Sequence, residues 1–328
     1  MGPDAATPPP RQADAVASAL PPLVDPVALV RARARLLRSP ATPWLHVEVA
    51  RRMAERLAVV KMQPQTVLDW GARAGGGAAR LLEAYPRACI LAVEPGLGGA
   101  LGQGDSAAHV PSGSQPTPAL PWWSPRRWLR ADAPTALEPG QVDPGQAQLL
   151  WANMVLHGLG DPLATLRQWH RALAVDGFLM FSTFGPGTLA ELRVLYDEEG
   201  WGPPMAPLVD MHDFGDMLVE TGFADPVMDQ EHIVLTWTDA ESALTELRSL
   251  GANLHPRRAR GLRTPRWRDR LLEGLRRTAA ADGRVRLGFE IAYGHAFRPA
   301  PRPRVQAEAR VDLADLRAMV RAGRRPER

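Results

Sequence analysis

The stretch "VLDWGARAGGG" (residues 67–77) decides the fold of this chain. A short apolar run ends at Asp69 and is followed by a turn rich in glycine. Glycines after a parallel strand let the backbone approach a ligand bound at the carboxyl edge of the sheet. The next apolar run, "ACILAVE", ends at Glu94, close to the spacing of about 20 residues at which a carboxylate accepts ribose hydroxyls. The pair predicts a nucleotide-type ligand. The alternative is a glycine turn that packs a helix on a strand, with Glu94 as an ordinary loop acid.

The charge at this turn narrows the choice of ligand. A dinucleotide loop needs Gly-x-Gly-x-x-Gly, and Arg73 breaks that pattern between Gly71 and Gly76. A carboxylate at Asp69 opposes a pyrophosphate but attracts an ammonium group. S-adenosylmethionine carries both an ammonium and a sulfonium, so the sequence favours this cofactor and disfavours a dinucleotide-dependent oxidoreductase.

Strand and helix patterns alternate along the chain, which predicts an α/β fold with a mostly parallel sheet covered by helices on both faces. Asp161 and Pro162 predict the start of one helix, and Thr238 with Glu241 has the spacing of a capping box at another. The run "ACILAVE" predicts a strand buried on both faces, with Cys89 as a small buried hydrophobe. The predicted strands are "TVLDW", "ACILAVE", "QLLWANMVL", "FLMFSTF", "EHIVLTW" and "VRLGFEIAYGHAF".

Composition divides the chain into one domain with irregular additions. Residues 1–24 lack apolar periodicity and predict a disordered N-terminus, and residues 299–328 form a C-terminal tail. The domain spans residues 25–298. Within it, residues 96–125 read as an inserted loop rich in Gly, Pro and Ser, and residues 239–283 as a helical insertion before the last strand.

Composition also narrows the functional classes. The 328 residues carry a net charge of +3, which is weak support for nucleic-acid binding. No apolar run is long enough to span a membrane, and the N-terminus lacks the pattern of a signal peptide. The single cysteine excludes a disulfide within the chain and a thiolate metal cluster. We expect a cytoplasmic monomer without a metal.

Four further segments carry a family resemblance: "FSTFGPGTLAELR" (181–193), "DMHDFGDMLVETGFADPVMD" (210–229), "ALTELRSLGANL" (243–254) and "YGHAF" (293–297). With these motifs the chain, over about residues 40–298, resembles the class I S-adenosylmethionine-dependent methyltransferases. More narrowly, it resembles the malonyl-acyl-carrier-protein O-methyltransferases of biotin synthesis. The resemblance implies a Rossmann-like sheet of seven strands, mostly parallel with an antiparallel last strand, and a lid formed by the helical insertion. It also implies the roles of the cofactor-binding residues: Asp69, Gly71 and Gly75 in the first loop, Glu94 at the ribose, Asp132 at the adenine and Asn153 at the methionine part.

Arg73 is the sharpest departure from the family pattern. We expect this residue to take a left-handed backbone angle in place of a glycine, at a cost of about 1 kcal/mol. Its side chain could bind the cofactor's carboxylate or fill the space of the methionine part. Two hypotheses follow: an active carboxyl methyltransferase, or a degenerate methyltransferase fold with a binding or assembly role and no turnover.

Methyl transfer to a carboxylate needs no general base, because carboxyl groups with pKa values near 4 are ionised at pH 7. A cation or hydrogen-bond donor should instead hold the acceptor, and the candidates are His157, Tyr293, His295 and Arg193. Each could equally be a structural polar residue. The arginine-rich segment 255–270 could bind an acidic acyl carrier protein, or be a solvated loop.

Overall fold

A computed structural model describes residues 24–39, 41–95, 136–259 and 261–301. Four sequence predictions fall wholly or almost wholly outside these residues. They are the disordered N-terminus, the inserted loop 96–125, the adenine contact Asp132 and most of the C-terminal tail.

The described residues form six strands and nine helices. The strands are β1 (Thr66–Trp70), β2 (Cys89–Val93), β3 (Ala147–Ala152), β4 (Leu173–Phe184), β5 (Ala224–Trp237) and β6 (Val285–Phe297). The first helices are α1 (Pro26–Arg38), α2 (Trp44–Leu57), α3 (Ala72–Gly75) and α4 (Ala78–Ala84). They are followed by α5 (Pro162–Ala172), α6 (Ala190–Glu198), α7 (Met211–Glu220), α8 (Ala240–Ser249) and α9 (Pro265–Arg277).

The strands form a single mixed sheet in the order β2-β1-β3-β4-β6-β5. Strands β1 to β4 pair in parallel, and β6 is antiparallel to both neighbours. The predicted fold class and the antiparallel last strand are therefore confirmed. The strand number differs, because the described part of the sheet has six strands and not seven. An isolated parallel bridge from Leu137 to Val93 continues the pairing beyond β2, and residues 96–135, which precede this bridge, lie outside the described part.

Helix starts follow the local sequence. The Asp161 side chain accepts a hydrogen bond of 2.8 Å from the Ala164 amide and Pro162 occupies the first turn, as predicted. Asp25 and Pro26 start α1 in the same way, at a helix that the sequence reading had not identified. The start of α8 differs from the prediction, because Asp239 and not Thr238 caps it, accepting from the Ser242 amide at 2.7 Å.

Alternate residues of the central strands pack into two hydrophobic cores, one on each face of the sheet. Val67, Leu149 and Phe178 pack on one face with α2, α8 and α9. Leu68, Leu150 and Leu179 pack on the other face with α5 and α7. This alternation explains the nearly continuous apolar strands, since a parallel strand covered on both faces has no polar side.

Strand β2 departs from that expectation. Cys89 is exposed, and only Val93 of this strand is buried. The prediction of a strand buried on both faces was wrong, since β2 lies at the end of the described sheet, where Ile90 and Leu91 are only partly buried against the two cores.

Helices α8 and α9 lie between β5 and β6, where the sequence predicted a helical insertion. Both reach the core beside β6, through residues such as Leu244 and Leu275. Of the helices in the described ranges, none is both long and apolar enough to cross a bilayer.

Candidate functional site

The turn after β1 is built around two glycines at the carboxyl edge of the sheet. Gly71 and Gly76 have φ angles of +73° and +66°, which residues with a Cβ rarely adopt. A Cβ on Gly71 would also lie 2.9 Å from Val155. The Gly71 amide donates to the Val93 carbonyl at 2.7 Å, which ties the turn to the end of β2.

Arg73 does not occupy either of these left-handed positions. It lies in the short helix α3 between them, so the predicted strain at Arg73 is wrong. Its side chain is exposed and is absent from the described wall of the adjoining cavity, so it neither fills that space nor reaches into it. Its backbone amide donates to Glu94 Oε1 at 2.6 Å.

Glu94 is placed at the end of β2 by two contacts. Its backbone amide donates to the Leu137 carbonyl at 2.9 Å, and its carboxylate accepts the Arg73 amide. The residue is 4% exposed, and burial raises the pKa of its carboxyl above the ordinary value despite the opposing effect of that amide. The other carboxylate oxygen, Oε2, has no hydrogen-bond partner among the described residues. This oxygen is therefore free to accept a hydrogen bond from a ligand in the adjoining cavity.

Asp69 lies deeper than Glu94. It is 1% exposed, and neither of its carboxylate oxygens has a hydrogen-bond partner within the described ranges. Burial, and secondarily the charge of Glu94, raises the pKa of Asp69 to about 7. Two neighbouring acids with raised pKa values make the turn an environment that favours a bound cation.

A cavity of about 130 Å³ opens beside this turn, and we call it the strand-end cavity. Asp69 is not part of its described wall. The cavity brings together three residues that the sequence predicted, Gly71, Glu94 and His157, with residues of α1 and α2. Its wall includes Gly71, Ala74, Glu94, Met154, His157 and Arg33.

Two histidines contribute to this wall. His46 Nδ1 lies 2.7 Å from the Ala74 carbonyl, and since a carbonyl only accepts, this nitrogen carries the proton. The His157 ring lies 6.4 Å from that of His46 and 4.4 Å from that of Phe184, centroid to centroid. Burial lowers the pKa of His46 to about 4 and that of His157 to about 3. Both rings are therefore neutral at pH 7, and His157 offers a neutral donor and acceptor without adding charge.

Asn153 holds the turn through internal hydrogen bonds. Its amide nitrogen donates to the carbonyls of Gly75 at 2.5 Å and His46 at 2.8 Å, and its oxygen accepts from Ser182 at 2.6 Å. A Cβ on Gly75 would lie 3.0 Å from the Asn153 carbonyl oxygen, which explains the glycine there. The side chain of Asn153 thus positions Gly75 against β3, and a direct contact with the cofactor stays a prediction.

A second, larger cavity of about 350 Å³ adjoins the first, and we call it the apolar cavity. Most of its wall is apolar, and α6, α8, α9 and β6 contribute leucine and aromatic side chains that include Leu192, Leu244, Leu271, Leu275 and Phe289. His157, Leu250, Gly251, Ala252 and Leu254 line both cavities. The two spaces therefore meet at the His157 ring and at the segment after α8.

Helices α1 and α8 contribute to these walls, which was not predicted from the sequence. Ala32, Arg33 and Leu36 line the strand-end cavity, whereas Arg35 and Arg248 line the apolar one. The Asp25-Pro26 pair was a usable signal for α1, because it repeats the pattern at Asp161-Pro162. No sequence signal separates Arg248 from the many other arginines.

The other predicted acceptor contacts lie elsewhere. Tyr293 and His295 pair with Ser182 and Met180, further into the sheet than Phe184 at the carboxyl end of β4. Neither residue lines either cavity in the described structure. The Tyr293 hydroxyl donates to Glu231, and its ring lies 3.8 Å beneath the Arg56 guanidinium carbon. The structure therefore does not bring these two residues together with His157 at the cavities.

Arg193 lies nearer to the site but is not part of the two cavities as described. It donates to the Pro186 carbonyl and lines an outer groove of about 270 Å³ together with Asp197 and His255. This groove shares residues 204–206 with the apolar cavity. Arg193 thus lies in a groove that is separated from the apolar cavity by residues common to both walls.

The strand-end residues fit S-adenosylmethionine. The unpartnered, buried Asp69 carboxyl favours a cationic ligand, Glu94 offers a free acceptor, and Gly71 leaves the turn open to close approach. A pyrophosphate would be repelled by Glu94 in the wall and by Asp69 behind it, and Arg33 is the one arginine in the described wall of this cavity.

The chain is similar to several known proteins. No protein-family model matches the chain. The chain is 36% identical to the malonyl-[acyl-carrier protein] O-methyltransferase of Laribacter hongkongensis, in an alignment covering 87% of this chain and 95% of that protein. It is 35% identical to the protein of the same name from Gallionella capsiferriformans, covering 80% and 87%. Among solved structures, phosphoethanolamine N-methyltransferase 2 from Haemonchus contortus in complex with S-adenosyl-L-methionine aligns with a TM-score of 0.42 at 13% identity, covering 82% of this chain and 56% of that one. By its sequence relatives, the chain belongs to the malonyl-[acyl-carrier protein] O-methyltransferase family.

Proposed function

We propose that this protein transfers a methyl group from S-adenosylmethionine to the free carboxylate of a malonyl group carried by acyl carrier protein, as a step of biotin synthesis. The observation that carries the proposal is the pair of cavities that meet at His157, in a chain whose relatives bear this enzyme's name. Methyl transfer needs adjacent donor and acceptor sites, and the strand-end and apolar cavities, which share five wall residues, are suited to these roles.

The residues of the strand-end cavity would hold the cofactor. Glu94 would accept the ribose hydroxyls, Gly71 would let the backbone approach, and Asp69 would supply negative charge near the ammonium group. When bound, S-adenosylmethionine supplies an electrophilic methyl group on a sulfonium. Asn153 keeps Gly75 in place through its hydrogen bonds, so the turn is held in shape by contacts within the protein.

The chain's own residues would act by positioning. The acceptor carboxylate is already ionised at pH 7, so no residue has to remove a proton. The neutral His157 imidazole can donate a hydrogen bond to one carboxylate oxygen without neutralising the other. The apolar wall would limit the water around the reacting groups, and correct placement of two reactants can contribute roughly 7 kcal/mol or more to lowering the barrier.

Acyl carrier protein would dock at the arginine-rich segment 255–270. Arg258 and Arg270 in this segment are paired with Asp25 and Glu199. Four exposed arginines of the segment have no carboxylate within 4.0 Å among the described residues: Arg257, Arg263, Arg266 and Arg268. His255 begins the segment and lines the outer groove, so a thioester arm could pass from this surface into the apolar cavity.

The proposal has further parts. The methyltransferase domain spans residues 25–298, and residues 239–283 act as its lid. The protein is a cytoplasmic monomer that does not bind nucleic acid. The lid role is supported by the walls of both cavities, to which residues 250–254 contribute.

A direct assay tests the function. Purified protein is incubated with S-adenosylmethionine and either malonyl- or acetyl-loaded acyl carrier protein, and mass spectrometry follows the carrier. We expect the malonyl form alone to gain one methyl group. Calorimetry with S-adenosylhomocysteine accompanies the assay. Binding without methyl transfer to any malonyl thioester would favour the degenerate, non-catalytic alternative, and absence of heat at millimolar ligand would remove the cofactor as well.

A further inference from the structure

The apolar cavity has an unusual charge for its composition. Its described wall is mostly hydrocarbon and contains no aspartate or glutamate, yet it includes two arginines, Arg35 and Arg248. Neither arginine has a carboxylate within 4.0 Å among the described residues, whereas many other arginines of the chain are ion-paired. The cavity is therefore positively charged and has no internal counter-ion in its described wall.

Both arginines lie on helices that contribute to the walls of both cavities, either directly or through the segment that follows. Arg248 precedes Leu250, Gly251 and Ala252, which line both spaces. Arg35 lies on α1 between Arg33 and Leu36, which line the strand-end cavity. Two cations from separate helices thus contribute to the same wall as His157, which lines both cavities.

Two other polar side chains of this wall, Thr188 and Asn253, are already bonded within the protein, and the remaining two, His157 and Tyr196, are neutral at pH 7. The Thr188 hydroxyl donates to the Glu290 carbonyl and accepts from the Glu290 amide. The Asn253 side chain donates to the Pro203 carbonyl and accepts from the His255 amide. An anion entering this cavity would therefore find its countercharge at the arginines, and a carboxylate in an apolar space needs such a partner.

We propose that Arg35 and Arg248 form a carboxylate-binding pair that selects an acyl thioester with a free terminal carboxylate over a neutral acyl thioester. The inference rests on the proposed function and names the residues that determine its acceptor specificity. The pair would hold the carboxylate at the boundary, with His157 as the neutral donor beside it. The apolar remainder of the cavity would take the thioester part.

The test is a binding competition that needs no turnover. Protein saturated with S-adenosylhomocysteine is titrated with malonyl-CoA and with acetyl-CoA, which differ by the carboxylate. We expect the wild-type protein to prefer malonyl-CoA by at least tenfold, or about 1.4 kcal/mol. This preference should weaken as salt concentration rises, because both arginines are exposed.

Substitutions assign the preference to the two residues. Arg35→Met and Arg248→Met should each reduce it, and the double variant should bind the two thioesters within about threefold of each other. Arg248→Lys should retain part of the preference, since it keeps the charge. Arg31→Met is the matched control on α1, because Arg31 is exposed and absent from the described walls of both cavities, and it should behave like the wild type.

The outcomes separate this inference from the proposed function. A double variant that binds S-adenosylhomocysteine normally and still prefers malonyl-CoA overturns the carboxylate pair, as does a wild-type protein without any preference. A wild-type protein that prefers malonyl-CoA through these arginines but transfers no methyl group supports the pair while removing the enzymatic function.

Discussion

Asp69 offers the most informative test of the strand-end cavity, and Asp69→Asn is the perturbation. The carboxyl is 1% exposed, without a hydrogen-bond partner in the described part of the chain, and its pKa is raised from 3.8 to about 7 by burial and by Glu94. Asparagine has nearly the same shape and stays neutral at every pH. The substitution therefore removes the ionisation and keeps the packing.

The sign of the effect follows from proton binding. Between pH 3.8 and about 7 the folded protein holds the Asp69 proton more tightly than the unfolded chain does, so this residue's contribution to stability falls as pH rises. The loss is complete above pH 7. At about 1.4 kcal/mol per unit it amounts to roughly 4 kcal/mol in total, of which roughly 2 to 3 kcal/mol falls between pH 5 and pH 8.

His46 and His157 act in the opposite direction. Their folded-state pKa values are lowered to about 4 and about 3, so the unfolded chain binds more protons below pH 6.5 and stability rises with pH through that range. The pH dependence of the wild-type unfolding free energy therefore contains the contributions of Asp69 and of both histidines. The difference between Asp69→Asn and wild type isolates Asp69, because both proteins share the histidines.

Urea unfolding of the ligand-free proteins at pH 5, 6, 7 and 8, followed by circular dichroism, measures this difference. The free energy of unfolding of the variant relative to wild type should increase by roughly 2 to 3 kcal/mol across the series. Calorimetry near pH 6.5 in buffers of different ionisation enthalpy adds a second readout. A bound ammonium group should lower the pKa of Asp69, so S-adenosylhomocysteine should release more protons from wild type than from the variant. Parallel pH profiles, together with equal proton release, would refute the reasoning.

Three other predictions concern neighbouring parts of the chain. Arg73→Gly should leave the affinity for S-adenosylhomocysteine within about twofold of the wild-type value, because the Arg73 side chain is exposed and absent from the described cavity wall. A larger change in affinity by calorimetry, in either direction, would show that this side chain reaches the ligand. Asn153→Ala should lower the free energy of unfolding in urea by about 2 to 4 kcal/mol, since it breaks three buried hydrogen bonds. Ser182→Ala is the matched control. It loses the hydrogen bond to Asn153 and should lower the free energy of unfolding by a smaller amount. The double variant Arg266→Glu, Arg268→Glu should raise the KM for malonyl-acyl carrier protein at least fivefold at low salt. The KM for malonyl-CoA should stay unchanged. An equal rise in both KM values would show that the substitutions act on the cavity and not on carrier docking.

The sequence predicted local features well where one segment contains the whole signal. The strands Thr66–Trp70 and Val285–Phe297 have the predicted limits, and Asp161 caps its helix as expected. Glu94 could be identified because its spacing from the glycine turn follows from the length of a strand-helix-strand unit. These features depend on periodicity, capping and turn chemistry over a few residues.

Arg73 shows how a motif comparison can mislead. Aligning the loop with a glycine pattern assigns a left-handed backbone to the middle position, but the chain places those angles at Gly71 and Gly76 and forms a helical turn between them. The departure from the pattern therefore has no backbone cost. Tyr293 and His295 show a different limit, because alternation along β6 predicts which face a residue is on but not how far it lies from the carboxyl edge.

The acceptor side of the site could not be predicted, because distant parts of the chain build it together. The Asp25 amide donates to the Leu254 carbonyl at 2.8 Å, and its carboxylate pairs with Arg258 at 2.9 Å. Small side chains at Ala28 and Ala32 then let α1 pack close to Leu254. These contacts bring Arg35 to the same cavity as Arg248, although α1 begins the described chain and α8 lies near its end. The specificity we assign to the two arginines thus depends on a tertiary contact that neither local sequence indicates, and disrupting the contact at Asp25 should weaken carboxylate selection without changing either arginine.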